Sequence, residues 1–200
     1  MKPGDIKAVV KIHQERFFDS RSGKLGKPFL RKIYTWFSTN YPPLALVAVD
    51  KEDHVIGFIT ATLGPYTQRI FRNALPQIAW GLIINPRLAI NSSTFKNARN
   101  YIKGFFIRNK PVTLYGISAE EEKRTLSYAS LAVTFTSEGA GVPLIMAIEN
   151  AAKKIPDIDL MSTWVKAKNE SLIKIYKAFG WKVVWEDGIS VRLIKKVTKN

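Results

Sequence analysis

The chain has 200 residues, of which 46% are apolar and none is cysteine, and its formal net charge is +15 with a pI near 10.0. This length and apolar content are enough for one sizeable hydrophobic core, which predicts a single α/β domain over residues 1–200. The lack of cysteine excludes disulfides, thiolate metal sites and a cysteine nucleophile. The positive charge indicates an acidic partner, but it does not distinguish phosphorylated small molecules, nucleic acid and anionic lipid.

The sequence carries no targeting or membrane signal. Its N-terminus lacks the apolar stretch of a signal peptide, and no run of about eighteen uncharged apolar residues occurs. We therefore expect a cytoplasmic protein. A specific nucleic-acid partner is not expected, because basic and aromatic residues alternate at core-helix spacing and no recognised nucleic-acid-binding motif is found.

The first part of the chain is predicted to form two helices and then an antiparallel hairpin. Asp5 can cap a first helix whose apolar side chains follow a spacing of 3.6 residues, and a second helix is expected over 28–39. Residues 44–49 and 55–62 are rich in β-branched side chains and flank a polar turn, which is typical of a hairpin.

The segment 65–112 is strongly basic. It contains eight arginine and lysine residues and no aspartate or glutamate, and its aromatic and aliphatic residues are spaced as on amphipathic helices. Pro76 and Pro86 are expected to divide it into two or three short helices. Three interpretations are open: a helical flap on the sheet, a roof over a binding pocket that attracts an acidic ligand, or a surface that docks to anionic lipid.

The second part of the chain is predicted to contain a strand over 113–117, a charged turn over 120–124 and a long strand over 126–135. After Gly141 the apolar side chains change from strand to helix spacing, so a glycine turn leads into a helix. A strand over 158–165, a helix that begins near Asn169 and a closing hairpin with an Asp-Gly turn at 187–188 follow.

The glycine turn is the first candidate binding site. Gly139 and Gly141 are expected to adopt positive φ and to leave room for a ligand, and Pro143 suits the first turn of the next helix. Such a turn presents unpaired backbone N–H groups at the positive end of a helix dipole, which favours phosphate. It is not a Walker loop, because no Lys-Ser or Lys-Thr pair follows Gly141, and it lacks the third glycine of dinucleotide-binding loops.

Two blocks together resemble the GNAT superfamily of N-acyltransferases. The pattern Thr136-x-x-Gly139-x-Gly141 after an apolar strand is similar to its acetyl-CoA loop, although Thr136 stands where Gln or Arg is usual, and the block 169–181 resembles its closing helix. The resemblance implies a mixed, mostly antiparallel sheet of six or seven strands with helices on both faces, splayed between its fourth and fifth strands. The segment 65–112 would be a helical insert, and the superfamily's first strand looks truncated or absent.

The resemblance also implies an activity, namely transfer of the acetyl group of acetyl-CoA, or of another acyl-CoA, to the primary amine of a small acceptor in a ternary complex. An acidic or nucleotide-sugar acceptor is one option. The backbone N–H of Val133 would stabilise the oxyanion, and the phenol of Tyr176 would protonate the leaving thiolate. Asn169 would contact the pantetheine arm, unless it is only a helix cap. The other residues expected to hold the cofactor are Leu131, Ala132, Thr136, Glu138, Gly139, Ala140, Gly141 and Val142.

The resemblance does not assign a general base. His13, Glu15, Tyr128 and the glutamates at 120–122 are candidates for the base, and the first three are also expected to contact the acceptor. His13 could equally be a partly buried helix residue, and the glutamates a solvated turn. The sequence shows no metal-ligand spacing and no Ser-His-Asp arrangement. An alternative function is a GNAT-fold binding protein whose segment 65–112 docks an acidic macromolecule, an acyl carrier protein or an anionic membrane. The oligomeric state is open, with a homodimer as one option.

Overall fold

The structure is a computed structural model that describes residues 1–40, 44–86 and 115–199. Its centre is a six-stranded sheet in the order β1-β2-β3-β4-β6-β5. The strands are β1 (Ala45–Val49), β2 (Val55–Leu63), β3 (Thr125–Val133), β4 (Leu160–Lys166), β5 (Lys182–Glu186) and β6 (Ser190–Lys196). Neighbouring strands are antiparallel except β3 and β4, which are parallel. The predicted mixed, mostly antiparallel sheet is confirmed.

Helices cover both faces of this sheet, as the sequence predicts. One face carries α1 (Ile6–Arg16), the short α2 (Arg21–Lys24) and α3 (Gly26–Thr39). In the sequence between β2 and β3 lie α4 (Thr67–Asn73), α5 (Leu75–Ile84) and α6 (Ala119–Lys123). The other face carries α7 (Gly141–Lys153) and α8 (Glu170–Ala178). None of the helices in the described part of the chain is long and apolar enough to cross a bilayer.

Helix boundaries differ from the predictions where capping was misjudged. Asp5 does not cap α1, because its carboxylate accepts the N–H of Lys2 at 2.6 Å instead. Residues 119–123 form α6 rather than a turn, since Ser118 and Glu121 make a reciprocal capping box. By contrast, the chain divides into α4 and α5 at Pro76 as predicted, since Pro76 lies in the first turn of α5, where a missing N–H costs nothing.

The region around the basic segment is only partly described. Helices α4 and α5 account for its first half, and residues 87–112 lie outside the described residues. The strand predicted over 113–117 is wrong for the part that is described, because residues 115 and 116 form a turn and Ile117 makes an isolated bridge. The strand predicted over 126–135 ends at Val133.

A buried glutamate connects α7 to β6 and to the segment between α8 and β5. Glu149 is 7% exposed, its Oε1 accepts the indole N–H of Trp181 at 2.7 Å, and its Oε2 accepts a hydrogen bond from Lys195 at 2.6 Å. The Trp181 ring meets the rings of Tyr176 and Tyr128 edge-on, with centroids 4.9 and 5.2 Å apart. Glu149 therefore holds an aromatic group that packs against two tyrosines.

A buried histidine connects α1 to α3. His13 is 3% exposed, its Nδ1 lies 2.5 Å from the Tyr34 hydroxyl, and its Nε2 lies 3.1 Å from the Ser22 hydroxyl. Burial lowers the pKa of His13 to about 4. The imidazole is thus neutral at pH 7, and a neutral ring can accept from one hydroxyl and donate to the other.

We expect Glu149→Leu to lower the free energy of unfolding by about 2–4 kcal/mol, because it leaves a buried indole N–H without an acceptor and removes the partner of Lys195. Glu149→Gln keeps an acceptor for Trp181 and should lose less. Urea unfolding of both variants measures the difference. Equal losses would show that the Trp181 hydrogen bond is not the stabilising contact.

Acid should weaken the fold through His13. Its pKa of about 4 lies below the ordinary value of 6.5, so between these values the unfolded chain binds a proton that the folded chain excludes. The contribution present above pH 6.5 is lost as the pH falls to 4, by about 3 kcal/mol. His13→Gln should remove this part of the pH dependence, and His54→Gln, at an exposed turn, should retain it. Denaturant unfolding near pH 7 and pH 4 tests this; identical behaviour of the two variants would contradict it.

Candidate functional site

The sheet opens between β3 and β4. These strands pair over four residues only, from Thr125 with Leu160 to Tyr128 with Thr163. On its other edge Tyr128 faces Ala61 while Ser130 faces Thr60, so β3 has one extra residue at this point. Such a bulge bends its strand, and β3 diverges from β4 from here onward. The predicted splay is confirmed; it falls between the third and fourth described strands because no strand precedes α1.

The bulge leaves backbone donors facing the opening. The N–H of Thr134 donates to the carbonyl of Ile56 at 2.8 Å, toward β2. Backbone direction alternates along a strand, so the N–H groups of Val133 and Leu131 point the opposite way, toward β4. Beyond Tyr128 no described strand pairs with that edge of β3. Both N–H groups are therefore accessible to a ligand.

A groove with a cavity volume of about 760 Å³ occupies the opening. It runs between β3 and β4 and reaches the starts of α7 and α8 and the end of α1. The residues predicted for a site that do line it are Tyr128, Leu131, Ala132, Val133, Gly141, Val142, Asn169 and Tyr176. Eight residues from three separate predictions thus meet at one place.

The glycine turn places the uncapped start of α7 at one end of this groove. Residues Glu138–Ala140 form a 3₁₀ turn and α7 begins at Gly141. The prediction of positive φ at the two glycines is wrong, since neither adopts it and Gly141 has a φ of −66°. A Cβ on either glycine would meet no atom within 4 Å, so both border open space. None of the described side chains caps α7 and no acidic residue lies in its first turn, which leaves N–H groups for an anion.

Other loop residues lie beside the groove rather than in its wall. Thr136 is exposed, its hydroxyl is 3.4 Å from that of Thr134, and it does not line the groove. Gly139 and Ala140 also lie outside the lining. Glu138 belongs to the 3₁₀ turn through its backbone, and its side chain lies outside the described residues.

Two residues of the closing block form the opposite wall. Tyr176 is 1% exposed; burial raises the pKa of its phenol, and a hydrogen bond with Thr163 partly offsets that rise. The phenol is therefore protonated at neutral pH. Asn169 is the N-cap of α8, because its Oδ1 accepts the N–H of Leu172 at 3.3 Å, and it also lines the groove. Asn169 thus caps α8 and lies where it could contact a ligand in the groove.

Tyr128 is the one acceptor-contact candidate that reaches the groove. Its hydroxyl points to the sulfur of Met161 at 3.4 Å, and burial raises the pKa of its phenol well above the ordinary value. A phenol that stays protonated is a hydrogen-bond donor and not a base.

The remaining candidates for a base do not line the groove. His13 is buried between α1 and α3, and Glu15 is exposed, 4.0 Å from Lys11. Of the acidic cluster, Glu122 pairs with Arg192 at 2.7 Å and Glu121 caps α6. Each is engaged elsewhere in the fold and does not line the groove. A role as base, and acceptor contact by His13 and Glu15, stay predictions.

Sequence reasoning missed several residues of the groove wall, namely Arg16, Phe17, Trp164, Lys166 and Lys168. Trp164 is 43% exposed and meets the rings of Tyr115 and Trp185 edge-on, each at a centroid distance of 5.3 Å. Position along β4 could have identified Trp164 and Lys166. Both come after Thr163, the last residue of β4 that pairs with β3, and residues two apart in a strand lie on the same face. Arg16 and Phe17 carried no comparable signal.

The turn between β1 and β2 gathers Asp50, Glu52 and His54, whose candidate ligand atoms lie within 4.8 Å of one another. The backbone explains their proximity, because Asp50 accepts the N–H groups of the other two at 3.0 and 2.9 Å. None of the three lines the groove.

Comparison with known proteins gives matches in structure only. No protein-family model matches the sequence, and no curated protein matches it significantly. The ribosomal-protein-alanine N-acetyltransferase of Brucella melitensis is similar with a TM-score of 0.58 at 12% identity, over 98% of this chain and 96% of that protein. NAA60 of Arabidopsis thaliana, solved with a bisubstrate analogue, has a TM-score of 0.57 at 16% identity, over 100% and 97%.

A third similar structure names the superfamily. The GNAT superfamily phosphinothricin acetyltransferase of Sinorhizobium meliloti, in complex with AcCoA, has a TM-score of 0.57 at 13% identity, over 98% of this chain and 85% of that protein. These matches span almost the whole length of the chain, including its mixed six-stranded sheet. The chain therefore has the fold of the GNAT superfamily of acetyltransferases.

Proposed function

We propose that this protein is an acyl-CoA-dependent N-acyltransferase that transfers the acetyl group of acetyl-CoA to the primary amine of a small acceptor. One observation carries the proposal: β3 separates from β4 beside a groove whose two ends are an uncapped helix start and a protonated buried phenol. A binding protein that acted through its basic segment would need neither the free strand edge nor the phenol.

The groove suits acetyl-CoA in shape and charge. The N–H groups at the start of α7 and the open space at Gly139 and Gly141 would receive the diphosphate. The free edge of β3 from Ala129 to Val133 would pair with the amides of the pantetheine arm, as an added strand does. Asn169 lies on the opposite wall. When bound, acetyl-CoA supplies an activated thioester.

The chain's own contribution to chemistry comes from one N–H and one O–H. The N–H of Val133 faces the groove and is fixed by the strand, so it can donate to developing negative charge without reorganisation. The Tyr176 phenol can donate a proton to a departing thiolate, since burial keeps it protonated.

The described part of the groove offers the acceptor amine neither a carboxylate nor an imidazole as a proton acceptor. Among the described residues none of the groove-lining side chains is Asp, Glu or His. Water is then the proton acceptor, and the amine enters the reaction in its neutral form.

Gly139→Asp should weaken acetyl-CoA binding by about 10- to 100-fold, because it places a negative charge beside the start of α7. The measurement is calorimetric titration with acetyl-CoA and with desulfo-CoA at two salt concentrations, and the loss should shrink as salt screens the charge.

Two controls separate charge from volume and place. Gly139→Ala adds a Cβ into open space and should bind normally. Gly4→Asp adds the same charge at another glycine with open surroundings, outside the groove. Lack of binding to any CoA species by the unaltered protein would overturn the proposed function, and equal losses for Gly139→Asp and Gly4→Asp would remove the phosphate site from the glycine turn.

Tyr176→Phe should lower amine acetylation by about 100-fold and leave acetyl-CoA binding unchanged, because it removes only the proton donor. The donor form is the protonated phenol and its pKa is raised, so the unaltered enzyme should keep its rate up to about pH 10. The assay is steady-state acetylation of a panel of primary amines across pH. Tyr66→Phe, at a half-buried tyrosine outside the groove, is the control; an unchanged rate in Tyr176→Phe would leave Tyr176 a packing residue.

A further inference from the structure

The groove wall carries charge of one sign. Three cationic side chains line it, Arg16, Lys166 and Lys168, and in the described part of the chain no aspartate or glutamate does. With no acid to balance them, these cations create a positive potential inside a partly enclosed space, which favours anionic groups.

Arg16 differs from the two lysines because it is held in place. It is the last residue of α1, and its guanidinium lies over the ring of Phe135 at 4.2 Å from the centroid. A planar guanidinium stacks well on an aromatic face while its N–H groups remain directed outward. Phe135 lies two residues after the end of β3 and is 67% exposed, so the stacked pair stands at the mouth of the groove.

Contacts with His13 hold the end of α1 in place. The N–H of Phe17 donates to the carbonyl of His13 at 2.8 Å, and the two rings contact each other with centroids 5.0 Å apart. His13 in turn contacts the hydroxyls of Tyr34 and Ser22. The buried histidine therefore positions Arg16 and Phe17 at the groove, although it does not reach the groove itself.

The guanidinium of Arg16 has no carboxylate partner among the described residues, where no acidic oxygen lies within 4.0 Å of it. Its neighbour Glu15 faces Lys11 instead. Arginine in such a place is suited to bidentate binding of a carboxylate or phosphate.

Arg16 enters the groove from the face of the sheet opposite α7. Helix α1 packs with α3, whereas α7 packs with α8 on the other face. The anion expected at the start of α7 is thus on one side and Arg16 on the other. We propose that Arg16 binds an anionic group of the acceptor, so that the acceptor is an amine that also carries a carboxylate or phosphate. This inference rests on the proposed function.

The proposal also accounts for the lack of a base among the described residues of the groove. A positive charge near an amine disfavours the ammonium form and so lowers the amine's pKa. Arg16 is neutralised by the acid group that it binds, so this effect comes from the other two cations of the wall, Lys166 and Lys168. Acceptor recognition and amine activation then depend on different cations of the same groove.

The test uses amines in matched pairs that differ by one acid group remote from the nitrogen: γ-aminobutyrate with its amide, and glucosamine 6-phosphate with glucosamine. Binding to the CoA-loaded protein is measured by calorimetry, and acetylation by initial rates. The acid member of each pair should bind at least about tenfold more tightly. Arg16→Met should reduce this preference to within about twofold, and Arg16→Lys should retain part of it. Lys11→Met, on α1 but outside the groove, is the control.

Two results would overturn the proposal. One is a lack of preference for the acid members in both binding and turnover by the unaltered protein. The other is an Arg16→Met variant that keeps the preference and instead binds CoA about tenfold more weakly, because Arg16 would then serve the phosphates of CoA. Failure of the proposed function is a separate outcome, since it appears as absent CoA binding by the unaltered protein, and the preference for acid members is measurable on the free protein as well.

Discussion

Every backbone N–H and C=O of a buried strand requires a hydrogen-bond partner. Among the described strands, β2 pairs with β3 along its whole length, whereas β4 pairs with it only as far as Tyr128. The extra residue at the bulge turns β3 away from β4, and neither α7 nor α8 fills the space between them. The opening is thus built into the strand pairing and does not depend on a mobile loop. A ligand with amide groups along an extended arm can complete the missing pairs, which is why the site lies here.

The protonated phenol of Tyr176 depends on packing that extends well beyond the groove. Trp181 lies edge-on against Tyr176, and Glu149 holds the Trp181 indole from within α7. Lys195 on β6 binds the same carboxylate. One charged group therefore connects both helices of this face and the closing hairpin, and it sets the environment that keeps the proton on Tyr176.

Local sequence signals were enough for much of the fold and for eight of the 21 residues that line the groove. The β-branched runs, the Asp-Gly turn and the glycine loop predict β1, β2, the closing hairpin and α7, because their patterns depend on near neighbours. The capping box of Ser118 and Glu121 could have been recognised from the sequence but was not. The place of Arg16 at the groove and the burial of His13 could not be predicted from the sequence. The spacing of residues along α1 does not show which side chains contact α3 and which contact Phe135. The prediction of positive φ at Gly141 is wrong because α7 already begins at this residue.

Trp164 gives the groove a natural optical probe. Its indole lines the cavity, is 43% exposed and touches the ring of Trp185, so it couples the interior of the site to a second fluorophore on β5. Arg192 also lies over the Trp164 ring, 5.5 Å from its centroid, and a nearby cation tunes indole emission. Occupation of the groove can therefore be followed by the protein's own tryptophan emission, without a label and before any acceptor is known.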